Sequence, residues 1–183
     1  MKKVLLFPLL VLFIGFTSCS DDENEDEVMV EEAGEISTFE NVELKMVDSD
    51  TEEYGHGFSV TTGETYKRSE TTEANVAEID LSSFANQAFI AFNSPDQDTV
   101  FKEMDGAKST LIQMANVEMT ADEFDAMEDD TMLKDLTVVH DNESQPIDYR
   151  GVVLFQTAEG NIGAIKINLL NAERISIDVK VIK

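Results

Sequence analysis

The chain predicts a mainly β protein, an antiparallel sandwich or curled sheet with one or two short helices, with an α+β arrangement as the alternative. Three observations predict it. In residues 174–181 the apolar side chains Ile175, Ile177, Val179 and Val181 fall on every second position, which gives an extended segment one dry face and one wet face. Residues 151–157 and 162–167 are β-rich runs around Ala158-Glu159-Gly160-Asn161, the pattern of a hairpin. The remainder is cut into short apolar runs by turn-forming clusters, and no internal repeat is visible at a fixed period.

The elements follow from the N-terminus. Met1, Lys2 and Lys3 precede an apolar stretch over residues 4–16 and the small pair Thr17-Ser18, which reads as a secretory signal peptide over residues 1–18. The stretch is too short to span a bilayer as a stable helix. Cys19, at the expected cleavage point, is the only cysteine, so no internal disulfide forms and C-x-x-C zinc or redox pairs are excluded. Residues 21–35 carry nine acids and no base, so residues 19–35 read as an extended, solvated tether that cannot bury apolar area.

Residues 36–183 then form a single β-rich domain. Within it, residues 42–47 alternate through Val42, Leu44 and Met46, and residues 57–61, 77–84, 88–92, 111–119 and 136–140 are further strand candidates. Between them stand Asp48-Ser49-Asp50, Thr62-Gly63, Asn93-Ser94-Pro95-Asp96, Asp105-Gly106 and Asp141-Asn142, all with turn chemistry. Thr120-Ala121-Asp122-Glu123 is a capping box that starts a helix with Phe124 and Met127 on one face, stopping near Met127. Asp130 or Thr131 is expected to cap a second short turn running to Leu136. Residues 150–183 are expected to make a three-stranded antiparallel unit.

Charge narrows the function. Among 183 residues, 38 acidic side chains face 13 basic ones, a formal charge of −25. A nucleic-acid partner is excluded, because binding to phosphates is supplied by cations. An electrostatic hold on anionic lipid is excluded for the same reason. The distribution is uneven: residues 36–149 hold 26 acids and six bases, residues 150–183 three acids and five bases. The C-terminal strands therefore read as the core sheet and the earlier part as the acidic exterior.

Thr17-Ser18-Cys19 behind the apolar segment resembles the lipobox of bacterial lipoproteins, with Phe16 where Leu, Val or Ile is usual. That resemblance implies a diacylglycerol on the Cys19 sulfur, and a membrane partner held through acyl chains. Two or more such chains anchor stably. Ser20-Asp21-Asp22-Glu23 directly after it resembles the export signal of surface lipoproteins in Bacteroidota-type bacteria, which implies an outer-membrane location facing the medium, with the periplasmic face as the alternative. Residues 147–183 also look like a group of small lipoproteins ending in a Gly-containing hairpin and an Ile/Val-Lys strand, from which no activity transfers. Asp98-Thr99-Val100 and Asp130-Thr131-Met132 resemble the Asp-Thr-aliphatic pattern that such bacteria O-glycosylate, which makes Thr99 and Thr131 candidate modification sites.

Catalytic and metal chemistry find little support in the residues. Asp48 to Glu53 alternates oxygen ligands, but Glu53 stands where a calcium loop needs Gly and Ser59 where it needs a bidentate Glu, so an acidic turn is the better reading. Asp122, Asp125, Glu128, Asp129 and Asp130 read as the solvated face of a helix. His56 and His140 are the only histidines and lie in no zinc or triad frame. With no Trp, stacking on a glycan is confined to the stretch from Tyr54 to Tyr66, and the other aromatic rings read as core. No catalytic residue, metal ligand or cofactor is assigned. The expected function is a non-catalytic binding or accessory component with a ligand or envelope-protein partner. A structural subunit docking onto an envelope complex is the alternative, and a hydrolase the remote one.

Overall fold

The computed structural model describes residues 32–183, so the signal peptide, Cys19 and the first part of the acidic segment lie outside the described residues. The fold is mainly β and antiparallel. Strands β1 (Ile36–Lys45), β7 (Leu111–Gln113), β9 (Val152–Gln156), β10 (Ile162–Leu170) and β11 (Arg174–Ile182) form a five-stranded sheet in the order β1-β11-β10-β9-β7. Strands β2 (Gly57–Phe58), β3 (Thr65–Tyr66), β4 (Leu81–Ser83) and β6 (Phe92–Asn93) form a smaller sheet in the order β3-β2-β4-β6, and β5 (Phe89–Ile90) pairs with β8 (Gln145–Pro146).

The expected three-stranded unit at the C-terminus is present, with β9, β10 and β11 as successive neighbours. Its hairpin turns at Gly160, whose φ of +95° suits a residue without a Cβ. Gly163 has a packing role instead. It lies opposite Phe155, and a Cβ there would stand 2.3 Å from the Phe155 ring, so the glycine makes room for the aromatic side chain across the strand pair.

The core explains the alternation and also corrects it. Ile175, Ile177, Val179 and Val181 face Phe58, Leu81 and Phe92 of the small sheet, so the two sheets pack as a sandwich. Each such side chain contributes about 1.5–3 kcal/mol by leaving water. The opposite face of β11 is not wet. Ser176 and Lys180 are buried there, and over Lys180 helix α1 (Ala121–Ala126) and the chain after it supply the cover, with Phe124, Met127, Leu133 and Val138.

Lys180 remains polar by serving the helix. Its Nζ donates to the carbonyls of Phe124 at 2.8 Å and Met127 at 2.7 Å, satisfying groups that the end of a helix leaves open. It also lies 5.0 Å from the centre of the Phe124 ring, within cation–π range. At the other end of α1 the expected capping box is complete: Thr120 accepts from the Glu123 amide, and Glu123 accepts from the Thr120 amide. Met127 closes the helix as expected. The second short turn spans Asp130–Met132 and is capped by Asp129 rather than by Asp130 or Thr131.

Several strand expectations shorten or shift, each for a local reason. β1 starts at Ile36 rather than Val42, because a bulge at Glu40-Asn41 breaks the register between Phe39 and Val42 and resets which face each residue meets. Asn41 takes the left-handed φ of 55° that the bulge needs, and its amide donates to Asp178 Oδ1 at 2.8 Å. The 57–61 run ends at Phe58, since the Ser59 hydroxyl accepts from the Thr61 and Thr62 amides and turns the chain. The 77–84 run is a 3-10 turn over Val76–Glu78 followed by β4. The 88–92 run divides between β5 and β6, which belong to different sheets.

Residues 111–119 form a strand only to Gln113, with Asn116 at a positive φ of 53°. Residues 136–140 form no strand. The chain after Thr137 follows the free edge of β7 and meets it largely through side chains: the Val139 amide donates to Gln113 Oε1 at 3.0 Å and the Ile112 amide to His140 Nδ1 at 3.1 Å, with one main-chain bond from the Asp141 amide to the Ile112 carbonyl at 3.1 Å. An edge strand is thereby covered without a further strand. At the domain's start, Gly34 donates to Asp130 Oδ1 and Glu35 pairs with Lys183, so ordered contacts begin just ahead of β1.

Candidate functional site

The same edge builds a cleft of about 220 Å³ at one end of the sandwich. Its floor is apolar, from Phe89, Ala91, Ile112 and Met114, and its rim is polar, from Asn93, Gln97, Asn142, Glu143 and Ser144. The rim loop owes its shape to Asp141, whose Oδ2 accepts from the amides of Met114 at 2.9 Å and Ala115 at 2.7 Å while Oδ1 accepts from Glu143 at 3.0 Å. Asn142, at a φ of 46°, takes the left-handed turn that Asn tolerates better than most residues. An apolar floor under side-chain amides suits a small neutral ligand that both donates and accepts hydrogen bonds. No lysine or arginine lines the cleft, so an anion would find no counter-charge there. Its size is below the roughly 300–1,000 Å³ of ordinary small-molecule pockets.

His140 stands in this cleft, but both ring nitrogens are committed. Nδ1 accepts from the Ile112 amide, which leaves the proton on Nε2, and Nε2 faces Asn142 Oδ1 at 2.9 Å. Proton abstraction at Nδ1 would cost the bond from the Ile112 amide. The imidazole is a structural connector.

His56 is in the interior. It lies beside β2, where its carbonyl accepts from the Ser83 amide at 2.8 Å. His56 Nδ1 and Ser83 Oγ are both buried without a hydrogen-bond partner among the described residues, so they do not form the hydrogen-bonded pair that nucleophile activation requires. Burial, with the nearby charges of Arg68 and Lys45, pushes the His56 pKa down to about 4. The ring is neutral at any ordinary pH.

Two buried carboxylates were not anticipated by the view of the early chain as acidic exterior. Asp98 accepts from Arg68 Nη2 at 2.7 Å, Ser82 Oγ at 2.9 Å and the Val100 amide at 2.9 Å. Burial pushes its pKa up, but these bonds, led by Arg68, outweigh that and hold the carboxyl below its ordinary value. Asp80 accepts from Lys108 Nζ at 2.9 Å and the Val60 amide at 2.8 Å. The available signal was positional, since Asp80 sits between Ile79 and Leu81 within an apolar run. Both carboxylates are fully occupied with structural partners.

The remaining sequence candidates are dispersed. In the 48–53 loop, Glu52 turns to Lys45 at 2.8 Å, while Ser49 and Thr51 hydroxyls accept from the Thr51 and Glu53 amides. In the second acidic stretch, Glu123 serves the helix cap, Asp125 pairs with Lys166 and Asp129 accepts from the Thr131 amide. Among the described residues no group of three or more His, Cys, Asp or Glu is placed to hold a metal ion. Tyr54 is stacked by Arg174, 5.2 Å from its ring, and Tyr66 donates to Glu78 at 2.7 Å, so the two rings are committed within the fold. Thr99 and Thr131 are both exposed, while the acid before each is occupied, Asp98 by Arg68 and Asp130 by Gly34. Cys19 lies outside the described residues.

Comparison with protein-family models, with curated proteins and with solved structures finds no match to this chain.

Proposed function

We propose that the chain is a lipoprotein anchored through Cys19 in the outer membrane and facing the medium, whose β domain is a non-catalytic binding or accessory component. The observation that carries the reading is the sole cysteine placed directly after Thr17-Ser18 at the end of an apolar segment and directly before Ser20 and a run of acids. An unpaired exported thiol is otherwise hard to explain. Nine acids and no base over residues 21–35 support a solvated spacer between anchor and domain. Support for a binding rather than catalytic role comes from the histidines, one committed to the edge of β7 and one enclosed and neutral.

Metabolic labelling with an alkynyl fatty acid tests the anchor. The wild-type chain is expected to take up label and stay with the membrane, and Cys19→Ala to lose both; an unlabelled wild type, or a Cys19→Ala chain still on the membrane, rejects the anchor. Protease added to intact cells tests the leaflet. Digestion of the domain is expected, and protection places it on the periplasmic face.

A further inference from the structure

Helix α1 and the chain after it cover the outer face of the large sheet incompletely. Met119, Met132 and Leu136 stay partly exposed over two adjoining hollows of about 210 and 170 Å³, which share Glu118, Met119 and Leu136. Together the hollows make a groove walled by Met119, Met132, Leu136 and Leu154, with Gln113, Asn116 and Thr137 lining the smaller hollow and Glu118 and Glu123 on the lip. Residues 117–136 carry eight acids and one base, Lys134, which is already engaged elsewhere.

That combination selects the occupant. A second copy would bring the same negative face, and an anionic lipid surface would be repelled likewise. A segment that places apolar anchors between lysines or arginines satisfies both parts of the groove, its anchors against methionine and leucine and its cations against the carboxylate lip. Methionine suits such a floor because its unbranched, polarisable side chain adapts to anchors of different shape.

We propose that this groove docks a basic amphipathic segment of a partner protein. The proposal rests on the reading of the domain as a binding component and is independent of the anchor at Cys19.

The test is a titration of the full-length chain, methyl-labelled at methionine and carried on neutral phosphatidylcholine nanodiscs, with a synthetic Leu/Lys peptide of helical spacing. Two further peptides are controls, a Leu/Glu peptide of the same spacing and a Lys/Ser peptide of the same charge. The Leu/Lys peptide is expected to move the methyl signals of Met119 and Met132 while those of Met46 and Met114, buried between the sheets, stay still. The control peptides are expected to move neither. Met132→Gln, at a partly exposed position, should weaken binding about tenfold, the effect of losing one good apolar anchor. The proposal is overturned if Met119 and Met132 do not respond, if the Lys/Ser peptide moves them equally, or if their signals shift with protein concentration alone, which would mark a second copy as the occupant. A silent groove with Cys19 still taking up fatty acid rejects the docking surface and leaves the anchor standing.

Discussion

The five-stranded sheet runs through strands of nine and ten residues at β10, β11 and β1, whereas no strand of the four-stranded sheet exceeds three residues. In the large sheet, position is set by apolar side chains repeating along the strand and by ladders of main-chain bonds. The small sheet has too few ladder bonds for that. Its loops are fixed instead by Asp98 reaching Arg68, 30 residues away, and by Asp80 reaching Lys108, 28 residues away. Repetition along a strand can encode a sheet only where the strand is long enough to repeat; elsewhere single polar contacts between distant residues take over. The two devices differ in how they fail. An apolar core loses stability in proportion to the atoms removed, but a buried ion pair fails abruptly, because the surviving partner stays charged and unpaired.

Asp98→Ala is therefore the substitution expected to do most damage, about 3–5 kcal/mol, since it leaves the Arg68 guanidinium largely buried without its carboxylate. Urea unfolding of the domain measures it. Asp98→Ala combined with Arg68→Met should recover a large part of the loss, because no charge is then stranded. A single substitution costing under about 1 kcal/mol, the range of an exposed ion pair, would mean that polar contacts do not hold the small sheet.

His56 gives the comparison a pH axis. Its folded pKa of about 4 lies below the ordinary 6.5, so folding favours the neutral ring. The contribution is fully present above pH 6.5, is lost as pH falls from 6.5 to 4, and is flat below; across that window it amounts to about 3 kcal/mol. Asp98, also held below its ordinary value of 3.8, loses its contribution only at lower pH. Unfolding free energy measured from pH 7 to 4 should fall in the wild type, and His56→Gln should remove most of that slope. An unchanged slope in the variant would place the acid sensitivity elsewhere.

The buried ion pair at Asp98 and the enclosed His56 were also the part of the molecule least legible in the sequence. Alternation at residues 174–181 and the Gly160 hairpin exposed the C-terminal strands, and Thr120 with Glu123 exposed the helix, because each signal is complete within a few neighbouring residues. The start of β1 was hidden by a one-residue change of phase at Asn41, and the edge segment at residues 136–140 by pairing through side chains that no periodicity reports. Arg68 with Asp98, and His56 beside Ser83, become neighbours only through the fold. The proposed anchor at Cys19 rests on a motif of neighbouring residues, whereas the cleft beside His140 and the methionine groove exist only once β7, the 139–145 edge and α1 are assembled.

Lys180 asks whether the large sheet also depends on a distant polar contact. Lys180→Met keeps the length of the side chain but leaves the Met127 carbonyl without its donor in a buried setting and the Phe124 carbonyl with only the Met127 amide, at a cost of about 2 kcal/mol. Hydrogen exchange should localise the loss to α1 and leave the amides of β9 and β10 protected. Spread of the loss through the whole sheet would show that α1 and the sheet unfold as one unit.

The smallest effect should come from the most local device. Thr120→Ala removes the side-chain acceptor for the Glu123 amide and one half of the capping box, at a cost of about 1 kcal/mol. Lys180 still holds the far end of the helix, so α1 should fray only in its first turn, with faster exchange at the Glu123 amide and little change at Met127. If Thr120→Ala instead cost as much as Lys180→Met, the local cap would be setting the helix as strongly as the contact across the sheet. The contrast between locally and remotely encoded parts of the fold would then fail at its clearest point.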